Sequence, residues 1–175
     1  MGGEIAVESE LGAGSTFTVT LPAATPTPAP RITEAQTPRR QAAEAVRGSV
    51  LYIEDNPVNC LLIENYLAAR PGVELVCCAN GRDGLAAARR MNPSVMLIDM
   101  NLPDMDGHEV LRAVLADPIL YRTACIAFSA DDDEAVVDAA IRAGFRQYLR
   151  KPIAPADFLL ALDQVLGDEP LATRF

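Results

Sequence analysis

Two patterns of apolar and polar residues divide the chain. Residues 1–21 alternate in two short runs, Ile5/Val7 and Phe17/Val19/Leu21, on either side of "GAGS". A two-residue period broken by glycines predicts a β-hairpin. Periodicity then disappears over residues 22–47, through "PAATPTPAPR" and "TPRRQAAEAVRG". Such a Pro/Ala/Thr-rich stretch reads as a linker, here one ending in a short helix. From Ser49 onward five apolar runs recur: "VLYI" (50–53), "VELVCC" (73–78), "VMLI" (95–98), "ACIAF" (124–128) and "QYL" (147–149). Each is followed by helical spacing, over roughly 57–70, 81–91, 106–116, 132–143 and 155–166. Asn56 before Pro57 is a good N-cap followed by an N1 proline, and Gly144 suits the end of the fourth helix. Strand runs with little alternation, each leading into a helix, predict an α/β domain with a parallel sheet covered on both faces. That domain spans about residues 48–167 and leaves a tail at 168–175.

Composition narrows the class. Half of the 175 residues are apolar, enough for a core. No apolar run approaches the roughly 20 residues that span a bilayer, and "MGGEIAVESE" has neither a secretory h-region nor a myristoylation pattern. A cytoplasmic protein without membrane contact is expected. Twenty-four acidic residues against fifteen basic ones give a net charge of −9. That balance argues against nucleic-acid binding but leaves room for a divalent cation. The four cysteines, Cys60, Cys77, Cys78 and Cys125, have no metal-ligand spacing and read as small core residues of a reducing compartment.

In an open parallel sheet, ligands bind beyond the carboxyl ends of the strands. Strand one of the domain delivers Glu54-Asp55 there, strand three Asp99, strand four Ser129-Ala130, and strand five Lys151-Pro152. Strand two brings only the uncharged Ala79-Asn80. Carboxylates crowded at one edge repel one another unless a cation joins them, and hard oxygen ligands suit Mg²⁺.

The motifs "YIEDNPVN", "MLIDMNLPDMDGHEV", "AFSADDD" and "YLRKPI" occur in that order. Over residues 48–167 the chain resembles a response-regulator receiver domain. The resemblance implies a flavodoxin-like five-stranded parallel sheet of order 2-1-3-4-5, with Glu54-Asp55 beside Asp99 at its switch point. It implies Asp99 as phosphoacceptor, attacking the phosphoryl group of a partner's phosphohistidine. Mg²⁺ would be held by Glu54, Asp55, Asp99 and the backbone carbonyl of Asn101. Ser129 would bind a phosphoryl oxygen, with space left by Ala130, and Tyr148 would turn inward to switch the surface of helix four, strand five and helix five near Phe145 and Arg146. Asn101 and Asp131 would tune the phosphoryl lifetime. The single histidine, His108, reads as structural.

Lys151 is the only lysine in the chain; every other basic residue is arginine. A slim, strongly hydrated ammonium fits a compact site where a planar guanidinium does not. The resemblance also implies a cis bond between Lys151 and Pro152.

Residues 1–22 resemble the final hairpin of a histidine-kinase ATPase domain, through GG-x-I-x-V-x-S-x-x-G-x-G-S-x-F. Read this way, Met1 is an internal methionine, and the chain is the C-terminal part of a hybrid sensor kinase: hairpin remnant (1–21), linker (22–47) and receiver. No ATP-binding elements accompany the hairpin and only a short tail follows the receiver, so neither kinase activity nor an attached output domain is expected. The chain would act on nothing but its own aspartate. Its partner would be a histidine kinase or a histidine phosphotransfer protein, docking on helix one at Val58, Leu61, Leu62 and Asn65. The oligomeric state is not legible. A flavin-binding flavodoxin fits poorly with the acidic "EDNPVN", and an Asp-nucleophile phosphatase fits poorly with Asn at position 101. A receiver remnant acting as a phosphorylation-independent interaction module is the main alternative.

Overall fold

A computed structural model describes residues 3–10, 12, 14–20 and 47–167. They belong to two compact units, one within Met1–Ala35 and one within Gln36–Phe175. Leu21, all but the last residue of the expected linker (22–47) with its short helix, and the tail at 168–175 lie outside the described residues.

In the first unit, β1 (Glu4–Glu10) pairs antiparallel with β2 (Gly14–Thr20), setting Ile5 opposite Val19 and Val7 opposite Phe17. The glycines are required at the turn, where Gly12 and Gly14 have φ of +88° and +100°. The alternating pattern puts all four apolar side chains on one face, and every strand residue is exposed.

In the second unit, β3 (Gly48–Ile53), α1 (Pro57–Leu67), β4 (Val73–Cys78), α2 (Gly81–Met91), β5 (Val95–Asp99), α3 (Gly107–Ala116), β6 (Ala124–Ser129), α4 (Glu134–Ala143), β7 (Gln147–Arg150) and α5 (Pro155–Gly167) alternate along the chain. The sheet is parallel throughout, in the order β4-β3-β5-β6-β7. Numbered within this unit, that is the expected 2-1-3-4-5. Successive strand side chains point to opposite faces, so the sheet makes two core layers. Leu51, Ile53, Met96, Ile98 and Ala127 meet α2, α3 and α4 on one face. Val50, Tyr52, Leu97, Ile126 and Phe128 meet α1 and α5 on the other. Phe158 of α5 is fully buried and stands edge-on to Phe128, with ring centroids 6.3 Å apart. Truncating it to Ala would cost about 3–5 kcal/mol.

Caps fix where the helices begin. The Asn56 side chain accepts from Val58 N–H, with Pro57 in the first turn. Asp106 and Glu109 form a reciprocal capping box on α3. In the acidic run, Asp133 caps Ala135 N–H, so α4 starts at Glu134 rather than the expected 132. Helix α1 ends at Leu67 rather than at 70. Pro71 follows Arg70 and disfavours helical backbone there. Arg70 instead reaches α5, where its Nε donates to Asp163 Oδ1 at 2.9 Å. Gly144 ends α4 with φ of +122°.

One expectation needs correction. β4 is not buried on both faces, and the cysteines are not all core residues: Cys77 is exposed, Cys60 and Cys78 are half-buried, and only Cys125 is buried. β4 is an edge strand with a neighbour on one side only, so the helices shield it less than the central strands.

Candidate functional site

Each strand except β4 ends in a chemically active residue, and the parallel arrangement brings four of these ends to one edge. Glu54 and Asp99 are buried there, at 3% and 5% exposure, while Asp55 is exposed. Carboxylate oxygens of Glu54, Asp55 and Asp99 lie within 4.8 Å of one another. Lys151 Nζ donates to Glu54 Oε2 at 2.7 Å and to Asp99 Oδ2 at 2.9 Å. Three carboxylates and one ammonium leave two negative charges, the complement of a single divalent cation. The donors are hard oxygens, and Asp55 faces water, so the set fits Mg²⁺, which keeps part of its hydration shell.

Glu54 and Asp99 share Lys151 yet titrate in opposite directions. Burial pushes both upward. For Glu54, hydrogen bonds from Lys151, Tyr52 and Asn59 outweigh burial and hold the carboxyl below its usual range. Asp99 accepts from Lys151 and from Asn101 N–H (Oδ1, 3.2 Å), which is not enough, so burial leaves it raised. Lys151 loses hydration on burial, but the two carboxylates more than restore its affinity for the proton. The less stabilised carboxylate is Asp99, the expected nucleophile.

Around this centre the backbone is tightly tied. Met100 N–H donates to Phe128 O, Glu54 N–H to Cys78 O, and Lys151 N–H to Ser129 O. The Lys151–Pro152 bond is cis, as expected. A Cβ on Gly107 would come within 2.9 Å of Met100 Cα and 3.1 Å of Asp99 O, so the loop after Asp99 closes onto α3 only because residue 107 lacks a side chain. Farther along that loop, Asp104 accepts from Gly81 N–H (2.8 Å) and Arg82 N–H (3.0 Å) at the start of α2.

A second group lies at the end of β6. The buried Ser129 hydroxyl accepts from Asp131 N–H at 3.1 Å, and the half-buried Tyr148 donates its hydroxyl to Asp131 O at 3.1 Å. Asp131 Oδ1 accepts from Asp133 N–H. Ala130 is exposed beside them. No side-chain hydrogen bond joins this group to the carboxylates among the described residues. His108 is half-buried, edge-on to the ring of Phe145.

The sequence reading missed Tyr52 and Asp104. Tyr52 is fully buried, and its hydroxyl donates to Glu54 Oε2 at 2.7 Å. Strand parity is the signal that finds it, because residues 52 and 54 share a face. Beside the site, a cleft of about 340 Å³ opens between α1 and the segment after β7, bordered by Asn59, Leu62, Lys151 and Ile153. Val58, Leu61 and Leu62 are exposed on α1.

Residues 50–163 match the family of response regulator receiver domains. The chain is 31% identical over 120 residues to the polar-differentiation response regulator DivK of Brucella anthropi, covering 69% of this chain and 97% of DivK. It is 30% identical over 122 residues to the nitrate/nitrite response regulator NarL of Escherichia coli K12, of which it spans only 56%. Among solved structures, it is similar to the receiver domain of the sensor histidine kinase PA1611 of Pseudomonas aeruginosa PAO1, which has a magnesium ion coordinated in its active-site cleft. That match has 30% identity and a TM-score of 0.62, over 69% of this chain and 98% of the other. The chemotaxis response regulator CheY4 of Vibrio cholerae matches with a TM-score of 0.63 and 25% identity, over 68% of this chain and 98% of CheY4.

Proposed function

The chain belongs to the response-regulator receiver family, and on that premise we propose that it receives a phosphoryl group on Asp99 from a partner's phosphohistidine. The observation that carries this reading is the placement of Asp99, buried among two other carboxylates and hydrogen-bonded to the chain's only lysine. An Asp99 carboxylate oxygen attacks phosphorus; the P–N bond to the partner's imidazole breaks, and its electron pair returns to the ring nitrogen, which takes a proton. Mg²⁺ held by Glu54, Asp55, Asp99 and the Asn101 carbonyl would neutralise charge on the transferring group. Lys151 shifts a hydrogen bond from a carboxylate to a phosphoryl oxygen. Ser129 donates its hydroxyl to another, with Ala130 leaving it room. Ser129 then gives up the Asp131 N–H, which loosens the anchor of Tyr148 and biases the surface formed by α4, β7 and α5. Asn101 and Asp131 flank the phosphoryl group and place the water that hydrolyses it.

The chain is a signalling element rather than an enzyme with turnover, and cytoplasmic. Among the described residues no helix is long and apolar enough to cross a membrane. Its partner, a histidine kinase or histidine phosphotransfer protein, docks over the exposed apolar residues of α1 and the cleft beside Lys151. The paired strands over residues 4–20, and the likeness to the PA1611 receiver, support a place in a hybrid sensor kinase, with the hairpin as the end of an ATPase domain.

Intact mass after incubation with Mg²⁺ and a small acyl phosphate tests the reading. A phosphoryl adduct is expected on the wild type and not on Asp99→Asn. An adduct on both would put the acceptor elsewhere. No adduct on either, even with a phosphorylated histidine phosphotransfer protein as donor, would leave an interaction module that works without phosphate.

A further inference from the structure

Tyr52 is the next-to-last residue of β3, fully buried in the apolar layer against α1 and α5, with its ring edge-on to Phe128 at 5.3 Å. Phenylalanine would fill that space equally well, so packing alone does not explain the hydroxyl. A buried hydroxyl is retained at little cost only where it has a partner. Its partner is Glu54 Oε2, at 2.7 Å, and the same oxygen accepts Lys151 Nζ at 2.7 Å. The other oxygen, Oε1, accepts Asn56 N–H at 3.2 Å.

We propose that Tyr52 is a positioning residue for the cation site: its hydroxyl holds the Glu54 carboxylate from inside the core, so that the carboxylate keeps its orientation when Lys151 leaves it for a phosphoryl oxygen. The inference rests on the receiver reading for the second role of Lys151. Of the two donors on Oε2, one sits on a side chain that must move and the other on a fully buried ring packed edge-on to Phe128 in the layer under α1 and α5. Without the phenol, Glu54 Oε2 would lose its inner donor and keep only Lys151, leaving the Asn56 N–H on the other oxygen. Loss of a hydrogen bond that orients a metal-binding side chain typically costs about 10–100-fold in metal affinity.

The test is Mg²⁺ titration of the full chain, read from the amide NMR shifts of Asp55, Asp99 and Asn101, for the wild type, Tyr52→Phe, Glu54→Gln and the double variant. Tyr52→Phe should raise the Mg²⁺ midpoint about tenfold. In the Glu54→Gln background the same substitution should add little, because the carboxylate it positions is gone. Equal midpoints for wild type and Tyr52→Phe overturn the proposal, as does a shift that persists undiminished in the Glu54→Gln background, which would assign the effect to packing. No saturable Mg²⁺ response from the wild type would sink the cation site and this inference together. A wild-type response with an unchanged Tyr52→Phe midpoint sinks this inference alone. Should Tyr52→Phe fail to fold, ¹³Cζ-tyrosine labelling of the wild type reads the contact directly. The Tyr52 resonance should keep its hydrogen-bonded position when Mg²⁺ and beryllium trifluoride load the site, and its loss would overturn the proposal.

Discussion

Lys151 Nζ and Asp99 Oδ2 are 2.9 Å apart although 52 residues separate them in sequence. β5 and β7 do not pair directly; β6 lies between them. The contact therefore depends on the length of the lysine side chain as much as on the fold. An ammonium that also reaches Glu54 can trade one oxygen for another without leaving the site.

Lys151→Arg is expected to fold and yet fail at this exchange. The guanidinium is too broad to sit between two carboxylates that already lie close together. Phosphorylation by an acyl phosphate, followed by intact mass at saturating Mg²⁺, should slow roughly 100-fold, as expected for a misplaced reacting group. A rate within twofold of the wild type would show that charge alone suffices.

Stability should depend on pH through Asp99 in an unusual direction. Its carboxyl is raised by burial, so the folded state holds this proton more tightly than the unfolded chain does. That contribution is fully present below the unfolded carboxyl range and is lost as pH rises through the folded value. Without divalent cation, Asp99→Asn should therefore be more stable than wild type at pH 7, with the gap closing toward pH 4. Urea unfolding of both proteins in chelator checks it, and a gap that widens toward acid would contradict the burial argument.

Added Mg²⁺ should stabilise the wild type by about 2.7 kcal/mol at a hundredfold excess over its Kd, since binding favours the folded state alone. Asp55→Asn should lose most of that gain while changing stability little in chelator, because Asp55 is exposed. Thermal unfolding with and without Mg²⁺ measures both. An equal Mg²⁺ response in the variant would remove Asp55 from the ligand set.

Gly107→Ala should cost about 1–3 kcal/mol, as overpacking does. Its Cβ would press on Met100 Cα and on the Asp99 carbonyl oxygen, which are backbone atoms and cannot rotate away. Because the strain falls directly under Asp99, Mg²⁺ affinity should drop as well. Calorimetry with a Mg²⁺ titration separates the two effects, and a variant with wild-type stability and affinity would mean that the loop gives way freely.

Most of this domain was legible because its signals are local. Strand β5 and the start of α1 announce themselves through an apolar run and through Asn56-Pro57, and the residues at strand ends follow once the sheet is taken as parallel. What escaped depends on neighbours that one sequence does not reveal. "VELVCC" reads as a buried run although the expected order 2-1-3-4-5 already set it at an edge; how far the helices shield that edge strand, and so the exposure of Cys77, is not written in its own residues. Asp104 looks like any polar loop residue until α2 is placed against it. The role of Tyr52 is hidden because tyrosine and phenylalanine make the same apolar signal; the hydroxyl matters only once Glu54 is known to lie on the same face.

The solitary lysine has a consequence for chemical modification. Reagents or enzymes that acylate lysine ε-amines find one acceptor in this chain, and its side chain is only 21% exposed and held between two acids. A protonated, paired amine is a slow nucleophile, so labelling should report on the state of the site rather than on the surface. An acyl group there would erase the positive charge linking Glu54 to Asp99. Acylation at Lys151 and phosphoryl chemistry at Asp99 would then exclude each other.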